Sequence, residues 1–500
     1  MLKMIKLDTG TELPENFVLT KEFKEIFETI NNTDSNLFIT GKAGSGKSTL
    51  LEYFRQNTKK NYATLAFQGI AAIKAKGQTI HSFFKFPPHF ISEDDVDTLK
   101  DKEVIQKLDT ILIDEVSMVR ADLFDAIDIS LRKNRKNDKP FGGVQMILFG
   151  DVMQIDPIVG KDEKVMEEFY PKGPFFFNSN SYDKNIFRQV ELTKIFRQSD
   201  KKFIDLLNKI RLNKIKSEDL DELNKRIKNE FEPGTIVLCP TNRKVDDINN
   251  TNLYQLKTPT LHYEAIVKGK WKDNEFPVKK EIILKVGAQI MITKNDADPA
   301  KRWVNGTLGI ITSLSKNQIK VKIKDDIFTI GKVKWDKYSY QLSGGKVTAQ
   351  SVGSFIQFPI KLAWATTIHK SQGQTFEKVA IDLDTGSFAH GQTYVALSRA
   401  KSLEGITLLK KINKKDIIFD SRVLEFIGQK LEKKYIKEIV NNKMTLKKEG
   451  NSSKKDNWTT SEDNKLIALY KRNVPEFALS KILKKSLPQI RERIMMLMKK

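Results

Sequence analysis

The chain has 500 residues, 39% of them hydrophobic, with 86 Lys and Arg against 63 Asp and Glu and a formal net charge of +23. That length exceeds what one hydrophobic core organises, so several compact units are expected, and the apolar content excludes a disordered polyelectrolyte. A basic surplus of this size favours a polyanionic partner, nucleic acid above all, over a merely lysine-rich solvated surface.

The first element that carries chemistry is the apolar run NLFITG, read as a buried parallel strand whose carboxyl end meets a crevice. It opens FITGKAGSGKSTLL (38–51), in which Gly41, Gly44, Gly46, Lys47 and Ser48 satisfy G-x-x-x-x-G-K-[ST] between a strand and a helix. Backbone N–H groups of such a loop curl around phosphate oxygens, Lys47 reaches the β and γ phosphates, and Ser48 ligates magnesium. The expected cofactors are ATP and Mg2+, with Ala43, Ser45 and Thr49 among the nucleotide contacts.

Next come the amphipathic STLLEYFRQ and the strand TILIDE, ending in Asp114 and Glu115. An aspartate there can hold the metal while the glutamate orients the attacking water. Alone, an acidic pair at a strand end is usually just solvated; beside the glycine-rich loop it completes a hydrolytic site. The amphipathic ADLFDAIDISLRK leads to the strand VQMILFGD, and Gln154 of FGDVMQIDP is expected to sense the γ-phosphate.

A second α/β group follows in TIVLCPTN, IKLAWATT, KVAIDLD and GITLLKK. Arg197 (LTKIFRQSD) and Arg399 (YVALSRAK) lie in or just before it, and planar guanidinium groups suit the charge spread over a transferring phosphoryl group. They are expected to meet ATP only across a cleft, coupling hydrolysis to closure between two bodies. Residues 307–345 alternate β-branched residues with turn signals and suggest a small inserted antiparallel barrel. The expected division is α/β: a first core over 1–185, a second over 186–306 and 346–440, the barrel at 307–345, a basic polar linker at 441–457 and a helical module at 458–500. The single cysteine, Cys239, excludes an internal disulfide and fits a cytoplasmic compartment; MLKMIKLDTG holds no signal-length apolar run, and no membrane span is expected.

PFGGVQMILFGDVMQIDP, LTKIFRQSD, TTIHKSQGQTFEKV and GQTYVALSRAKS resemble the petite-integration-frequency DNA helicases, in the superfamily-one branch shared with RecD and Dda. GIAAIKAKGQTIHSFF, DISLRKNRKNDKPFGG and VGAQIMITKNDADPAKRWVNGTLG match further family segments in the right order, and the resemblance covers roughly residues 19–410. It implies two RecA-like parallel-sheet P-loop cores with an SH3-like barrel insertion. The implied activity is ATP-driven 5′-to-3′ movement on single-stranded DNA with unwinding of forked or structured duplexes; an ATPase that displaces bound proteins without unwinding is the alternative. A monomer is expected, with roles of the DNA repair, recombination and telomere-maintenance type.

By the same resemblance, DNA contacts are expected from Gln68, Gly69, Thr79 and His81 on the first core and from Lys294, Asn295, Asn305, Thr367, His369 and Lys370 on the second, with Gly373 on the nucleotide side. Amides and hydroxyls suit phosphate contacts that form and release without reading sequence. Phe83 and Phe84 favour core packing over base stacking. Residues 85–107 take the place of the family's strand-separating wedge, with Pro87, Pro88, His89 and Phe90 at its tip. Two departures stand out: Phe23 occupies the region where the family carries an adenine-reading glutamine, and Phe67, Gln68 and Gly69 replace proline-threonine-glycine.

The tail resembles a Myb-like helix-turn-helix unit. Trp458 with Leu466, Ile467 and Leu469 packs a first helix, PEFALSKIL forms a second, and Ser486 caps a third with Pro488 in its first turn. Ile490, Ile494 and Leu497 share one face, leaving Gln489, Arg491 and Arg493 for solvent or DNA. About +13 of the net charge lies in the last hundred residues, which favours duplex binding over the alternative of protein docking.

Overall fold

The computed structural model describes residues 17–431, apart from short gaps at 101, 199, 229, 270, 273–274, 297, 299–301 and 385, together with Leu13 and scattered positions between 458 and 497. The chain divides into two units, 1–427 and 428–500. The first unit holds two parallel sheets and a β-rich insertion.

In the first lobe, α1 (Lys21–Asn32) is N-capped by Thr20, whose hydroxyl accepts from the Phe23 N–H, and it buries Phe23, Ile26 and Ile30. Strands β1 (Asn36–Gly41), β2 (Tyr62–Ala66), β3 (Gln78–Thr79), β4 (Thr110–Asp114), β5 (Gln145–Phe149) and β6 (Phe187–Leu192) form a six-stranded sheet in the order β3-β2-β4-β5-β1-β6. Its pairings are parallel, and β1, β4 and β5 are buried almost throughout. Helices α2 (Lys47–Asn57), α3 (Gly69–Lys74), α4 (Ile80–Phe84), α5 (Lys102–Gln106), α6 (Ala121–Arg135) and α7 (Glu163–Phe169) complete the lobe. The runs NLFITG, TILID and QMILF are apolar because both faces of a central parallel strand are covered. Their adjacent carboxyl ends bring the glycine-rich loop, Asp114–Glu115 and the Asp151–Gln154 turn to one edge.

A first core ending at residue 185 is too short. Strand β6 pairs with β1 over its whole length and closes the first sheet. Its sequence, FRQVEL, is buried only at its two ends, so this edge strand lacks the two-sided apolar signature of its neighbours.

The second lobe begins with α8 (Lys201–Arg211), α9 (Ser217–Asn224), β7 (Ile236–Cys239) and α10 (Asn242–Gln255). A long β-rich insertion follows: β8 (Thr260–Glu264), β9 (Ile266–Lys268), β10 (Glu281–Lys285), β11 (Gln289–Ile292), β12 (Leu308–Leu314), β13 (Ile319–Ile323), β14 (Asp326–Ile330), β15 (Val333–Ser343), β16 (Lys346–Gln357) and β17 (Ile360–Leu362). The chain then returns to the parallel sheet through β18 (Ala365–Thr367), β19 (Val379–Ile381), α11 (Gln392–Leu397), β20 (Ile406–Leu408) and α12 (Ser421–Leu431). That sheet runs β18-β7-β19-β20.

The insertion is wider than 307–345. Its antiparallel strands run from Thr260 to Leu362 in the orders β14-β13-β12-β11-β17, β10-β8 and β15-β16-β9. The segment IKLAWATT is split: Ile360–Leu362 pairs antiparallel with β11, while Ala365–Thr367 pairs parallel with β7. One apolar word therefore serves two sheets, a division that hydrophobicity alone does not mark.

Two devices tie the lobes together. The β15–β16 hairpin reaches the first sheet, where the buried Tyr340 hydroxyl accepts from the Thr64 N–H at 2.7 Å, and the Val347 N–H donates to Asn61 Oδ1 at 3.3 Å. Strand β3 pairs with β2 only at Leu65 and Ala66, so Tyr340 satisfies a donor the short edge strand leaves open. Helix α12 inserts Phe426 among first-lobe aromatics, stacked on Phe177 at 4.1 Å. As expected, Phe83 and Phe84 are core residues, 7% and 2% exposed. In the 85–107 segment Phe86, Ile91 and Val96 are buried, whereas Pro88 and His89 are exposed at its tip.

In the second unit Arg493 is not left for solvent or DNA. It forms a two-pronged ion pair with Asp463, at 2.7 and 2.6 Å, and its guanidinium lies 5.8 Å from the Trp458 ring. Leu466 is fully buried. The expectations on residues 1–10, on the 441–457 linker and on Leu469, Ser486, Pro488, Gln489, Ile490, Arg491 and Ile494 lie outside the described residues.

Candidate nucleotide and nucleic-acid site

The glycine-rich loop leaves β1 at Gly41 and enters α2 at Lys47, with Ser48 and Thr49 in that helix's first turn. Gly44 has φ +82, and a Cβ there would meet the Arg197 Cβ at 2.4 Å, so only glycine admits both the turn and the arginine. The Lys47 ammonium donates to the carbonyl oxygens of Gly41 at 2.6 Å and Lys42 at 3.4 Å. Burial pushes its pKa down, against the attraction of Asp151 and Glu115. The Ala43 N–H donates to the Tyr394 hydroxyl at 3.2 Å, and Ser45 Oγ is buried without a partner. These are donors and a cation folded inward on protein acceptors that a phosphate oxygen could replace.

Asp114 ends β4, and its Oδ1 accepts from the Glu115 N–H at 3.0 Å. Glu115 sits in the left-handed region, φ 51 and ψ 46, and its Oε2 is buried without a hydrogen-bond partner. A non-glycine residue held there, with an open carboxylate oxygen, is strain of the kind that collects at working sites. Among the described residues no cluster of three His, Cys, Asp or Glu forms a protein-only metal cage. One hydroxyl and one carboxylate beside a phosphate cradle is nevertheless the donor set magnesium takes when substrate phosphates complete its shell, and Ser48 with Asp114 fits it.

The two arginines differ from expectation. Arg197 does not stand across a cleft: the neighbouring Phe196 N–H donates to the Gly44 carbonyl at 2.9 Å, which fastens this segment onto the phosphate loop itself. Its Nη1 lies 3.4 Å from the Ser398 carbonyl. Arg399, 1% exposed, gives its guanidinium to the carbonyls of Val395, Ser371 and Gln374 and to Ser398 Oγ. Burial and repulsion from Arg197 hold its pKa below the ordinary arginine value. Here it serves as a hub joining α11 to the 371–374 loop, and any phosphate contact requires those bonds to exchange.

Gln154 is buried between the lobes; its Nε2 lies 3.4 Å from Asp151 Oδ2 and its Oε1 accepts from Gln372 Nε2 at 3.3 Å. Sequence reasoning passed over Asp151, Arg211 and Tyr394. Asp151 and Arg211 form a buried ion pair at 3.0 Å, and both act electrostatically on Lys47. The signal for Asp151 was present in FGD; Arg211 ends an ordinary amphipathic helix and announced nothing. Phe23 is buried in the first turn of α1, its ring 6.5 Å from that of the exposed Phe196.

A cleft of about 1640 Å³ brings Ser48, Asp114 and Glu115 together with Gln68, Lys294, Asn295, Asn305, His369, Lys370 and Gly373. Lys294 Nζ donates to the Lys334 carbonyl at 2.7 Å and lies 5.6 Å from the Trp335 ring; the Asn305 N–H donates to Asn295 Oδ1 at 2.8 Å. Lys370 Nζ donates to Asn242 Oδ1 at 3.0 Å, and burial lowers the pKa of His369. Gly373 lines the same cleft as Ser48, Asp114 and Glu115.

Four expected contacts are not among the lining residues. Gly69 opens α3; the Thr79 hydroxyl caps α4 by accepting from the Ser82 N–H, and Thr367 accepts from the Lys370 N–H. His81 packs edge-on against Phe67, and burial pushes its pKa down to about 4, leaving it uncharged near neutrality. The cleft adds Lys361, Lys334, Trp335 and Phe276, which sequence reasoning missed. Lys361 reads as one polar residue in a strand, and burial with repulsion from Lys370 pushes its amine down to about 8.

A parallel sheet that presents a glycine-rich loop, an acidic pair and a buried lysine at one edge, faced by a second parallel sheet, defines a two-lobed P-loop nucleotide-binding protein. The model of the PIF1-like helicase family matches residues 18–221. The chain is 33% identical over 448 residues to the ATP-dependent DNA helicase PIF1 of Danio rerio, covering 83% of this chain and 67% of that protein. With the ATP-dependent DNA helicase Pif1 of Bdellovibrio bacteriovorus the identity is 33% over 410 residues, covering 79% and 88%. Bacteroides sp Pif1 in complex with ADP-AlF4 superposes with a TM-score of 0.77 at 37% identity, covering 84% of this chain and 98% of that one; bound to single-stranded DNA, Bacteroides Pif1 gives 0.61 at 38%, covering 82% and 96%. The chain belongs to the PIF1-like helicase family. It spans about two thirds of the length of the Danio rerio relative.

Proposed function

We propose that this chain is an ATP-dependent DNA helicase that moves 5′ to 3′ along single-stranded DNA and opens forked or structured duplexes. The observation that carries the reading is the cleft lined both by Ser48, Asp114 and Glu115 and by Lys294, Asn305, His369 and Lys370. ATP chemistry beside a basic, amide-lined channel is what a motor needs if phosphate transfer is to alter the grip on a polyanion. Membership of a helicase family, and relatives named as ATP-dependent DNA helicases, support the same reading.

In this scheme Lys47 leaves its two carbonyls for the β and γ phosphates, and the loop N–H groups receive phosphate oxygens. Ser48 and Asp114 would hold magnesium, which supplies charge neutralisation between the phosphates. Glu115 orients the attacking water with the carboxylate oxygen that has no protein partner, and Gln154 senses the γ-phosphate. Arg197 approaches from above Gly44, and Arg399 follows once its carbonyl bonds exchange. DNA phosphates take Gln68, Lys294, Asn295, Asn305, His369 and Lys370; Gly69, Thr79, His81 and Thr367 shape the backbone around them. The exposed Pro88–His89 tip is the candidate strand separator. The protein acts as a DNA-associated monomer, and the 458–500 module adds duplex affinity or docks a protein partner. Among the described residues no helix is long and apolar enough to cross a membrane.

The test is ATP hydrolysis with and without single-stranded DNA, followed by unwinding of duplexes carrying a 5′ or a 3′ tail. Stimulated hydrolysis with unwinding of the 5′-tailed substrate alone is expected. Stimulation without unwinding would favour protein displacement, and no stimulation would end the motor reading. Duplex affinity against salt, before and after trimming at about residue 450, tests the tail.

A further inference from the structure

Arg211 and Gln372 have no part in the chemistry just described, yet they terminate one continuous polar chain. Asp151 is fully buried just beyond β5, and the attraction of Arg211 and Lys47 holds its carboxyl below the ordinary range although burial alone would raise it. Its Oδ1 receives Arg211 Nη2 at 3.0 Å and the Met153 N–H at 3.1 Å, and its Oδ2 faces Gln154 Nε2 at 3.4 Å. The Gln154 amide continues to Gln372 Nε2 at 3.3 Å, and Gln372 lines the cleft beside His369 and Lys370.

The pair joins two bodies: Arg211 is the last residue of second-lobe α8, whereas Asp151 follows a first-lobe strand. A buried ion pair is a poor device for stability alone, and the Arg211 Nε is itself buried without a partner. The backbone beneath is closely packed: a Cβ on Gly391, at the start of α11, would come within 2.5 Å of the Gln154 carbonyl. Asp151 is ion-paired with Arg211 and also feels the charge of Lys47, whose ammonium is bonded to the Gly41 and Lys42 carbonyls. A triphosphate that took the Lys47 ammonium would leave the carboxylate to Arg211, at the head of the bonds that run from Asp151 to Gln154 and from Gln154 to Gln372.

We infer that Arg211 is a positioning residue: by fixing the Asp151 carboxylate it aims Gln154 at Gln372, so that filling of the phosphate loop alters the grip on DNA. This rests on the helicase reading. It needs no direct contact between Arg211 and either nucleotide or DNA.

The test compares wild type with Arg211→Met, Gln372→Leu and the double variant of the full chain. It measures kcat and KM for ATP with and without saturating oligo(dT), and oligo(dT) affinity with and without a non-hydrolysable ATP analogue. Each single change is expected to cut the DNA-stimulation factor and the nucleotide-dependent affinity shift by about 10-fold, and the double change no further. Arg211→Lys, which keeps the charge, recovers part of the loss. Gln372 is half-buried, so its variant carries the test even if Arg211→Met folds poorly. A merely structural pair would lower basal and stimulated rates together; an unchanged ratio, or losses that multiply in the double variant, overturns the relay. A wild type with no stimulation takes the relay down together with the helicase reading, whereas a stimulated wild type with unaltered variant ratios sinks the relay alone.

Discussion

The Tyr394 hydroxyl, on second-lobe helix α11, accepts a hydrogen bond from the Ala43 N–H of the first-lobe phosphate loop at 3.2 Å. The tyrosine is 4% exposed, so water cannot readily replace it. A backbone donor of the phosphate loop is thus held by the other lobe, and a nucleotide phosphate seated there would compete with an interlobe bond.

Tyr394→Phe removes that acceptor and leaves a buried N–H unpaired, at a cost of about 1–3 kcal/mol in the nucleotide-free protein. A phosphate oxygen can satisfy the donor in the bound protein. The expected outcome is a lower melting temperature without nucleotide and a larger rise on adding a non-hydrolysable ATP analogue than wild type shows. Equal rises in both proteins would contradict the competition.

Glu115 combines a left-handed backbone with an unpartnered carboxylate oxygen. Glu115→Gln should leave nucleotide binding intact and slow hydrolysis by about 10²–10⁴-fold, the range for loss of a positioned general base. Glu115→Gly relieves about 1–2 kcal/mol of backbone strain against a smaller entropic cost, giving a variant about 1 kcal/mol more stable and equally slow. Denaturant unfolding and single-turnover hydrolysis check the two halves separately.

Lys361 lines the cleft proposed to hold DNA, which predicts a pH dependence of binding. Its amine, pushed down to about 8 by burial and by Lys370, is cationic below that value and neutral above it. Affinity for single-stranded DNA should therefore weaken as pH rises from 7 to 9, beyond any change in Lys361→Met. Binding isotherms at constant ionic strength measure it; identical pH profiles for the two proteins would remove Lys361 from the interface.

Tyr340→Phe tests the hairpin that bridges the lobes. Its hydroxyl satisfies the Thr64 N–H at 2.7 Å, and losing it should destabilise the first unit by about 1–3 kcal/mol. Thermal unfolding of the full chain reads the loss. A change within error would mean that solvent reaches the edge of β2.

Where the sequence spoke plainly, local chemistry was the reason. The phosphate loop was legible because glycine spacing, a lysine and a hydroxyl must be contiguous to wrap a phosphate. Strands β1, β4 and β5 were legible because burial on both faces forces unbroken apolar runs. Strand β6 escaped because an edge position asks for little apolar character, and IKLAWATT was read as one element because its two halves are equally apolar while joining different sheets.

Residue order alone determined that this chain has a phosphate cradle, an acidic pair to work beside it, and a charge suited to a polyanion. The tertiary structure decided which far-separated groups meet: Arg211 with Asp151, Tyr394 with Ala43, Gln372 with Gln154, Tyr340 with Thr64. Short-range motifs are written into sequence because the backbone itself places their atoms. Partners 60 to 351 positions apart are brought together only by how the two sheets and the hairpin pack, and no spacing rule along the chain encodes that distance.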